Sequence, residues 1–188
     1  MKRALEKIVL VSSGLIVGAA VGVALTASTF LITQEKASLT NTAQIENVYF
    51  SPQDDCSSRL IGLINQAKES IFVEIYTFTD KDIADALISA RKRGINVRVL
   101  FDKNQASIKP SLDEYLENSG ISIKYDTGGI MHNKVMIIDG SIVGTGSFNY
   151  TLSANKRNNE NIVIIRDKKT AKTYIEEFNR LWEYPKKR

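Results

Sequence analysis

The sequence predicts an α/β sandwich, a mixed β-sheet covered by helices on both faces. Three observations carry this. Apolar extended runs of strand length alternate with amphipathic segments of helical period through the chain after residue 46. Two of those runs are joined by Asp139-Gly140-Ser141, a hairpin signal that demands at least one antiparallel pair beside the parallel ones. The 188 residues are 43% hydrophobic, enough for one domain with a core of ordinary size.

Taken in order, the first element is "IVLVSSGLIVGAAVGVALTASTFLI", Ile8 to Ile32, which has no charged residue and follows Lys2, Arg3 and Lys7. At about 1.5 Å per residue such a run crosses a hydrocarbon core of about 30 Å. It exceeds the usual signal-peptide core of about 7–15 residues, and no clean Ala-x-Ala site follows it. Residues 1–33 therefore read as an uncleaved transmembrane anchor, with a cleaved signal segment as the alternative. Basic residues ahead of the span put the N-terminus inside and the rest of the chain outside. Residues 34–46 are polar and aperiodic and read as a linker, leaving 47–188 as the folded domain.

Within that domain, "NVYFS" suggests a short strand. "SSRLIGLINQAKES" sets Leu60, Ile61, Leu63, Ile64 and Ala67 at helical spacing, with Ser57 or Ser58 near the N-cap. "IFVEIYTF" is a buried-strand pattern of β-branched and aromatic residues. "TDKDIADALISARKRG" reads as a helix capped by Thr79 or Asp80 and stopped by Gly94. "INVRVLFD" is a strand, "PSLDEYLENSG" a helix opened by Pro110 and closed by Gly120, and "ISIKYD" another strand. After the hairpin come a strand, "ENIVIIRD", and a final amphipathic helix, "KKTAKTYIEEFNRLWEY". The basic "RKRG" at Arg91 to Gly94 reads as a helix end complementing the macrodipole.

The hairpin strands are "HNKVMIID" and "IVGTGSFN", and the first holds the only histidine of the chain. Residues two apart in a strand share a face, so His132 pairs with Lys134 and Ser147 with Asn149. A Gly140-Ser141 loop sets Lys134 opposite Ser147 and His132 opposite Asn149; an Asp139-Gly140 loop sets His132 opposite Ser147. In both registers the four polar side chains fall on one face. A nucleophile or base, a cation and two hydrogen-bonding groups converging there suit a phosphate group.

Composition narrows the chemistry further. The single cysteine, Cys56, excludes an intramolecular disulfide and reads as a half-buried packing residue. One Cys and one His exclude a Cys/His zinc cluster within the chain, and no metal or cofactor is expected. The net charge is +4, of which residues 1–40 hold +2 (Lys2, Arg3, Lys7 and Lys36 against Glu6 and Glu35), leaving 4 − 2 = +2. That permits a polyanionic partner without announcing one.

The stretch from Met131 to Tyr150 reads H-x-K-x(4)-D-x(6)-G-S-x-N through His132, Lys134, Asp139, Gly146, Ser147 and Asn149. It resembles the signature of the phospholipase D superfamily. "FVEIYTFTDKDIADALISARKRGINVRVLFD" and "GSFNYTLSANKRNNENIVII" are similar to its small single-motif nucleases, and the likeness spans roughly Val48 to Trp182. Relatives of that kind include bacterial periplasmic endonucleases and mitochondrial-surface enzymes of small-RNA processing or cardiolipin cleavage.

The resemblance implies a metal-independent phosphodiesterase with one His forming a phosphohistidine and a second His protonating the leaving oxygen. One His per chain then implies a homodimer that shares its site. It further implies phosphate-oxygen contacts from Lys134 and Asn149, supported by Ser147, and a hydrogen bond donated by the His132 ring to Glu160 that fixes the imidazole tautomer. Asp139, at the turn, reads as structural, and Gly146 as permitting close backbone packing. Lys156 and Arg157, in "NKRNN", are candidates for substrate phosphate contact. The expected substrate is DNA or RNA, single-stranded by preference, with a cardiolipin-type phospholipid as the alternative. The expected location is the bacterial envelope: anchored in the inner membrane and facing the periplasm, or secreted if the first segment is cleaved.

Overall fold

Apolar side chains alternating along each strand create two cores on opposite faces of one sheet. The computed structural model describes residues 44–183, so the anchor expected at 1–33 lies outside the described residues. The strands are β1 (Gln44–Ser51), β2 (Ser70–Ile75), β3 (Asn96–Asp102), β4 (Ser122–Asp126), β5 (Lys134–Ile138), β6 (Ile142–Gly146) and β7 (Glu160–Arg166). They form a seven-stranded sheet in the order β1-β7-β6-β5-β2-β3-β4. The pairs β2–β3 and β3–β4 are parallel and the other four antiparallel, so the sheet is mixed as expected. Among the described residues no helix is long and apolar enough to cross a membrane.

The described helices are α1 (Cys56–Gln66), α2 (Lys81–Lys92), α3 (Lys103–Ala106), α4 (Asp113–Asn118), α5 (Leu152–Lys156) and α6 (Lys168–Glu183). Val73, Val99, Met136 and Ile138 point to the larger core with Leu60 and Ile64 of α1 and Ile83 and Leu87 of α2. Their odd–even neighbours Leu100, Val135, Ile137 and Val143 point the other way, against Ala171, Phe178 and Leu181 of α6. Phe178 stacks between Phe72 (4.9 Å) and Trp182 (5.4 Å). Burying one such ring contributes about 1.5–3 kcal/mol. Helices thus cover both faces.

Several boundaries differ from the sequence expectation, each for a local reason. β1 starts at Gln44, inside the stretch read as linker, because β7 offers it a full-length antiparallel partner. The N-cap of α1 is Asp55 (φ 47°), whose carboxylate accepts from Ser58 N; Ser57 Oγ instead donates to Asp80 at 2.6 Å. Asp80 caps α2 by accepting from the N–H groups of Asp82 and Ile83. α4 begins three residues after Pro110, at Asp113, since residues 107–111 form a separate turn closed by Ser111 N donating to Ile108 O. Cys56 is fully buried rather than half-buried.

The hairpin takes neither anticipated register. Asp139 (φ 50°) and Gly140 (φ 57°) form its left-handed corner, and Ser141 N donates to Ile138 O at 3.1 Å. Ser141 is then an extra residue, because Ile138 pairs with Ile142. Extended outward, this register puts His132 and Lys134 on the opposite face from Ser147 and Asn149. The sheet does not extend that far: β6 ends at Gly146, and Phe148 turns into the larger core, 1% exposed. Beyond Gly146 the chain leaves the sheet, so strand alternation does not set where Ser147 and Asn149 point.

Candidate active site

Four strand ends meet at one edge: the start of β5 and β7 and the finish of β2 and β6. Ile75 pairs with Lys134, and Gly146 with Ile162. His132 stands just ahead of β5, exposed, with its ring at 4.6 Å and 60° to Tyr76. Lys134, the first residue of β5, is 6% exposed; its Nζ donates to the His132 carbonyl at 2.7 Å and lies 5.0 Å from the centre of the Tyr76 ring. Burial lowers the Lys134 pKa, with the charge of Glu160 opposing that shift. A cation under-solvated in this way gains most from a phosphate oxygen.

Gly146 gives the chain room to leave the sheet. A Cβ there would lie 2.2 Å from Asn161 O. Immediately after it, Ser147 Oγ donates to Glu160 Oε2 at 2.5 Å and accepts from Asn161 N at 3.1 Å. Asn149 Oδ1 accepts from Thr77 N at 3.3 Å, next to the Tyr76 that contacts both His132 and Lys134. A cavity of about 280 Å³ opens beside His132 and Lys134 on the α6 side, bordered by Glu74, Thr145, Tyr174 and Glu177.

The expected hydrogen bond between Glu160 and His132 does not form. Glu160 spends its oxygens on Ser147 and on Asn158 Nδ2 (3.2 Å), because β7 places it beside the β6 exit. Lys156 is held in an ion pair with Asp55 at 3.1 Å, while Arg157 is exposed after α5. The Asn155 side-chain hydrogen bond, aided by Lys156, holds the Asp55 carboxyl down at about 2. The Asp139 carboxylate accepts from the backbone N–H groups of Lys68, Glu69 and Ser70. It lies at the far end of β5 from His132.

Sequence reasoning missed Tyr76, Asn133, Asp102 and Glu74. Asp102 accepts from Met131 N at 3.0 Å, anchoring the residue before His132. Asn133 Nδ2 donates to Glu74 Oε2 at 2.6 Å. Burial raises the Glu74 carboxyl to about 7, with the Asn133 bond lowering it, Glu177 and Asp126 raising it and Arg180 lowering it. The available signal was an acid within the apolar run "IFVEI". Among the described residues, no group of three or more His, Cys, Asp or Glu side chains is placed to hold a metal ion.

Residues 60–182 match the family model described as "Cardiolipin synthase, PLD-like domain". The chain is 38% identical over 193 residues to a Rickettsia prowazekii protein named phospholipase D, covering 94% of this chain and 93% of that one. It is 36% identical over 131 residues to the mitochondrial cardiolipin hydrolase of Xenopus tropicalis, covering 69% of this chain and 62% of that one. Among solved structures it is similar to Nuc of Salmonella typhimurium, a phospholipase D family member, with a TM-score of 0.72 and 34% identity, covering 77% of this chain and 97% of Nuc.

Proposed function

The chain belongs to the phospholipase D superfamily of phosphodiesterases, and from that premise we propose that it cleaves DNA or RNA, single strands by preference, without a metal. The observation that carries this reading is the solitary imidazole: His132 stands exposed beside a buried lysine at a convergence of strand ends. One ring nitrogen of His132 attacks phosphorus while the bond to the leaving alcohol oxygen breaks. That oxygen takes a proton from the imidazolium of a second copy's His132. Water then attacks phosphorus and gives its proton to that second imidazole; the phosphorus–nitrogen bond breaks and a phosphomonoester leaves.

With one histidine per chain, both roles require two chains, so the site is shared across the two-fold axis of a homodimer. Lys134 and Asn149 hold the non-bridging oxygens. Glu160 acts through Ser147 and through its charge on Lys134 rather than on the imidazole. The exposed Arg157 adds a contact for the substrate backbone. Residues 1–33 tether the domain outside a bacterial inner membrane.

Similarity to Nuc across 97% of its length supports the nuclease reading. A phospholipid diester is the second reading. It is supported by the phospholipase D relative matched over 93% of its length, and by Ile130, 71% exposed two residues before His132. The test is turnover of labelled single-stranded DNA, single-stranded RNA and cardiolipin vesicles in excess EDTA, with His132→Ala alongside. Cleavage of a nucleic acid in EDTA, lost in the variant, is expected. Cleavage of cardiolipin alone selects the second reading. Activity that vanishes in EDTA and returns with a divalent ion, or a fully active variant, refutes the mechanism.

A further inference from the structure

A carboxyl group inside the sheet has no place in the patterning of β2. Its neighbours Phe72, Val73 and Ile75 are apolar and fill the two cores. Glu74 is 1% exposed and shares the α6 face with Phe72. One carboxyl oxygen, Oε1, is buried with no hydrogen-bond partner. An unsatisfied buried carboxyl destabilises the fold, and a leucine would fit the strand better. Such a local conflict is a mark of a functional constraint.

The other oxygen identifies that constraint. It accepts from Asn133, which lies between His132 and Lys134 and projects to the opposite side of the chain from Lys134. Residues 128–133 lie outside the strands, so contacts other than ladder hydrogen bonds hold the backbone that carries the imidazole. Contacts on it include Asp126 on Gly128 N, Asp102 on Met131 N, the Lys134 ammonium on the His132 carbonyl, and Glu74 on Asn133. The last acts on a side chain of the segment, Asn133, rather than on its backbone.

We propose that Glu74 is a positioning residue for the reaction, acting through Asn133 to fix the backbone of His132 and Lys134 at the site. This rests on the reading of His132 as nucleophile. Glu74 does not touch the substrate; it sets the angle and depth of the groups that do. A misplacement on the order of 1 Å at such groups costs up to about a hundredfold in rate, so loss of one of these anchors lowers kcat by about tenfold. Substrate binding, spread over Lys134, Asn149 and the second chain, changes little.

The experiment uses the full chain and bis(4-nitrophenyl) phosphate, a diester with neither base nor lipid, so the result is independent of the natural substrate. Asn133→Ala, Glu74→Leu, the double variant and His132→Ala are compared by kcat, KM and thermal midpoint. Both single variants should lose about tenfold in kcat with KM within about twofold. The double variant should be no worse than the poorer single, since both act through one contact. Glu74→Leu should melt no lower than the parent. Asn133 is exposed, so if Glu74→Leu fails to fold, Asn133→Ala alone decides. A kcat within twofold of the parent in Asn133→Ala, or effects that multiply in the double variant, overturns the proposal while an inactive His132→Ala leaves the nucleophile reading standing. An active His132→Ala overturns both.

Discussion

Asp139→Ala removes the clasp between the β5–β6 turn and the entry to β2. The carboxylate accepts from Lys68 N at 2.9 Å, Glu69 N at 2.8 Å and Ser70 N at 3.0 Å, and Asp139 N donates to Ser70 O at 3.0 Å. Hydrogen bonds to a charged acceptor contribute about 1.5–3 kcal/mol each when dry. Lys68 and Glu69 are exposed, so water replaces much of theirs, and the side-chain bonds together contribute about 2–3 kcal/mol. Alanine at φ 50° adds roughly 1 kcal/mol of strain. A loss of about 3–4 kcal/mol lowers the melting midpoint by about 10 °C in a domain of this size.

Burial pushes the Asp139 carboxyl up, but the three N–H groups outweigh it and hold it below its ordinary value. The stabilisation is therefore present above the ordinary aspartate pKa of about 4 and fades as pH falls through the folded value. The gap between variant and parent should narrow in acid accordingly. Asp139→Asn, which keeps an acceptor oxygen and tolerates the left-handed corner, should recover most of the midpoint. Because His132 lies roughly 20 Å away along the extended chain, kcat per folded molecule should stay within about twofold. Circular dichroism melts of the full chain in detergent, with turnover measured well below the midpoint, check both. An unchanged midpoint, or a tenfold loss of kcat in folded protein, refutes the structural assignment.

Gly146→Ala drives a Cβ to within 2.2 Å of Asn161 O, so β6 and β7 must part; turnover should fall more than tenfold by steady-state assay, judged on the mechanism's need for sub-ångström placement. Gly144→Ala meets only side-chain atoms, Ile164 Cδ1 nearest at 3.3 Å, and should melt within a few degrees of the parent. The Glu74 carboxyl, raised to about 7 by burial, contributes stability that is complete below about pH 4 and lost as pH rises through 7. Glu74→Gln should flatten that slope, and its denaturation free energy should exceed the parent's by about 3 kcal/mol at pH 8; equal pH profiles by urea titration would contradict the burial argument. Co-refolding His132→Ala with an equal amount of parent should leave about a quarter of the activity per dimer, because only dimers with two histidines turn over. Retention near half after verified exchange of subunits would mean two independent sites.

The sequence alone determined the kinds of element and the chemistry at the hairpin. Period-two runs such as "NVRVLFD" and helical spacing in "KDIADALISARK" express local sterics and a local choice of buried face, so β3 and α2 were legible from them. The spacing of His132, Lys134, Ser147 and Asn149 was equally legible, as was the position of the turn at Asp139-Gly140. Tertiary structure decided what depends on partners distant in the chain. The order β1-β7-β6-β5-β2-β3-β4 arises from pairings between segments over a hundred residues apart, as in β1 with β7, and no local pattern encodes it. The one extra residue at Ser141 reversed the expected face of Ser147 and Asn149, because strand side chains alternate with period two and a single slip inverts them all. Glu160 found Ser147 instead of His132 because β7 pairs with β6, not with β5. Glu74 reads as an isolated acid in an apolar strand until the sheet sets it beneath Asn133: burial is a property of the packed layers, and only packing turns that acid into a support for the site.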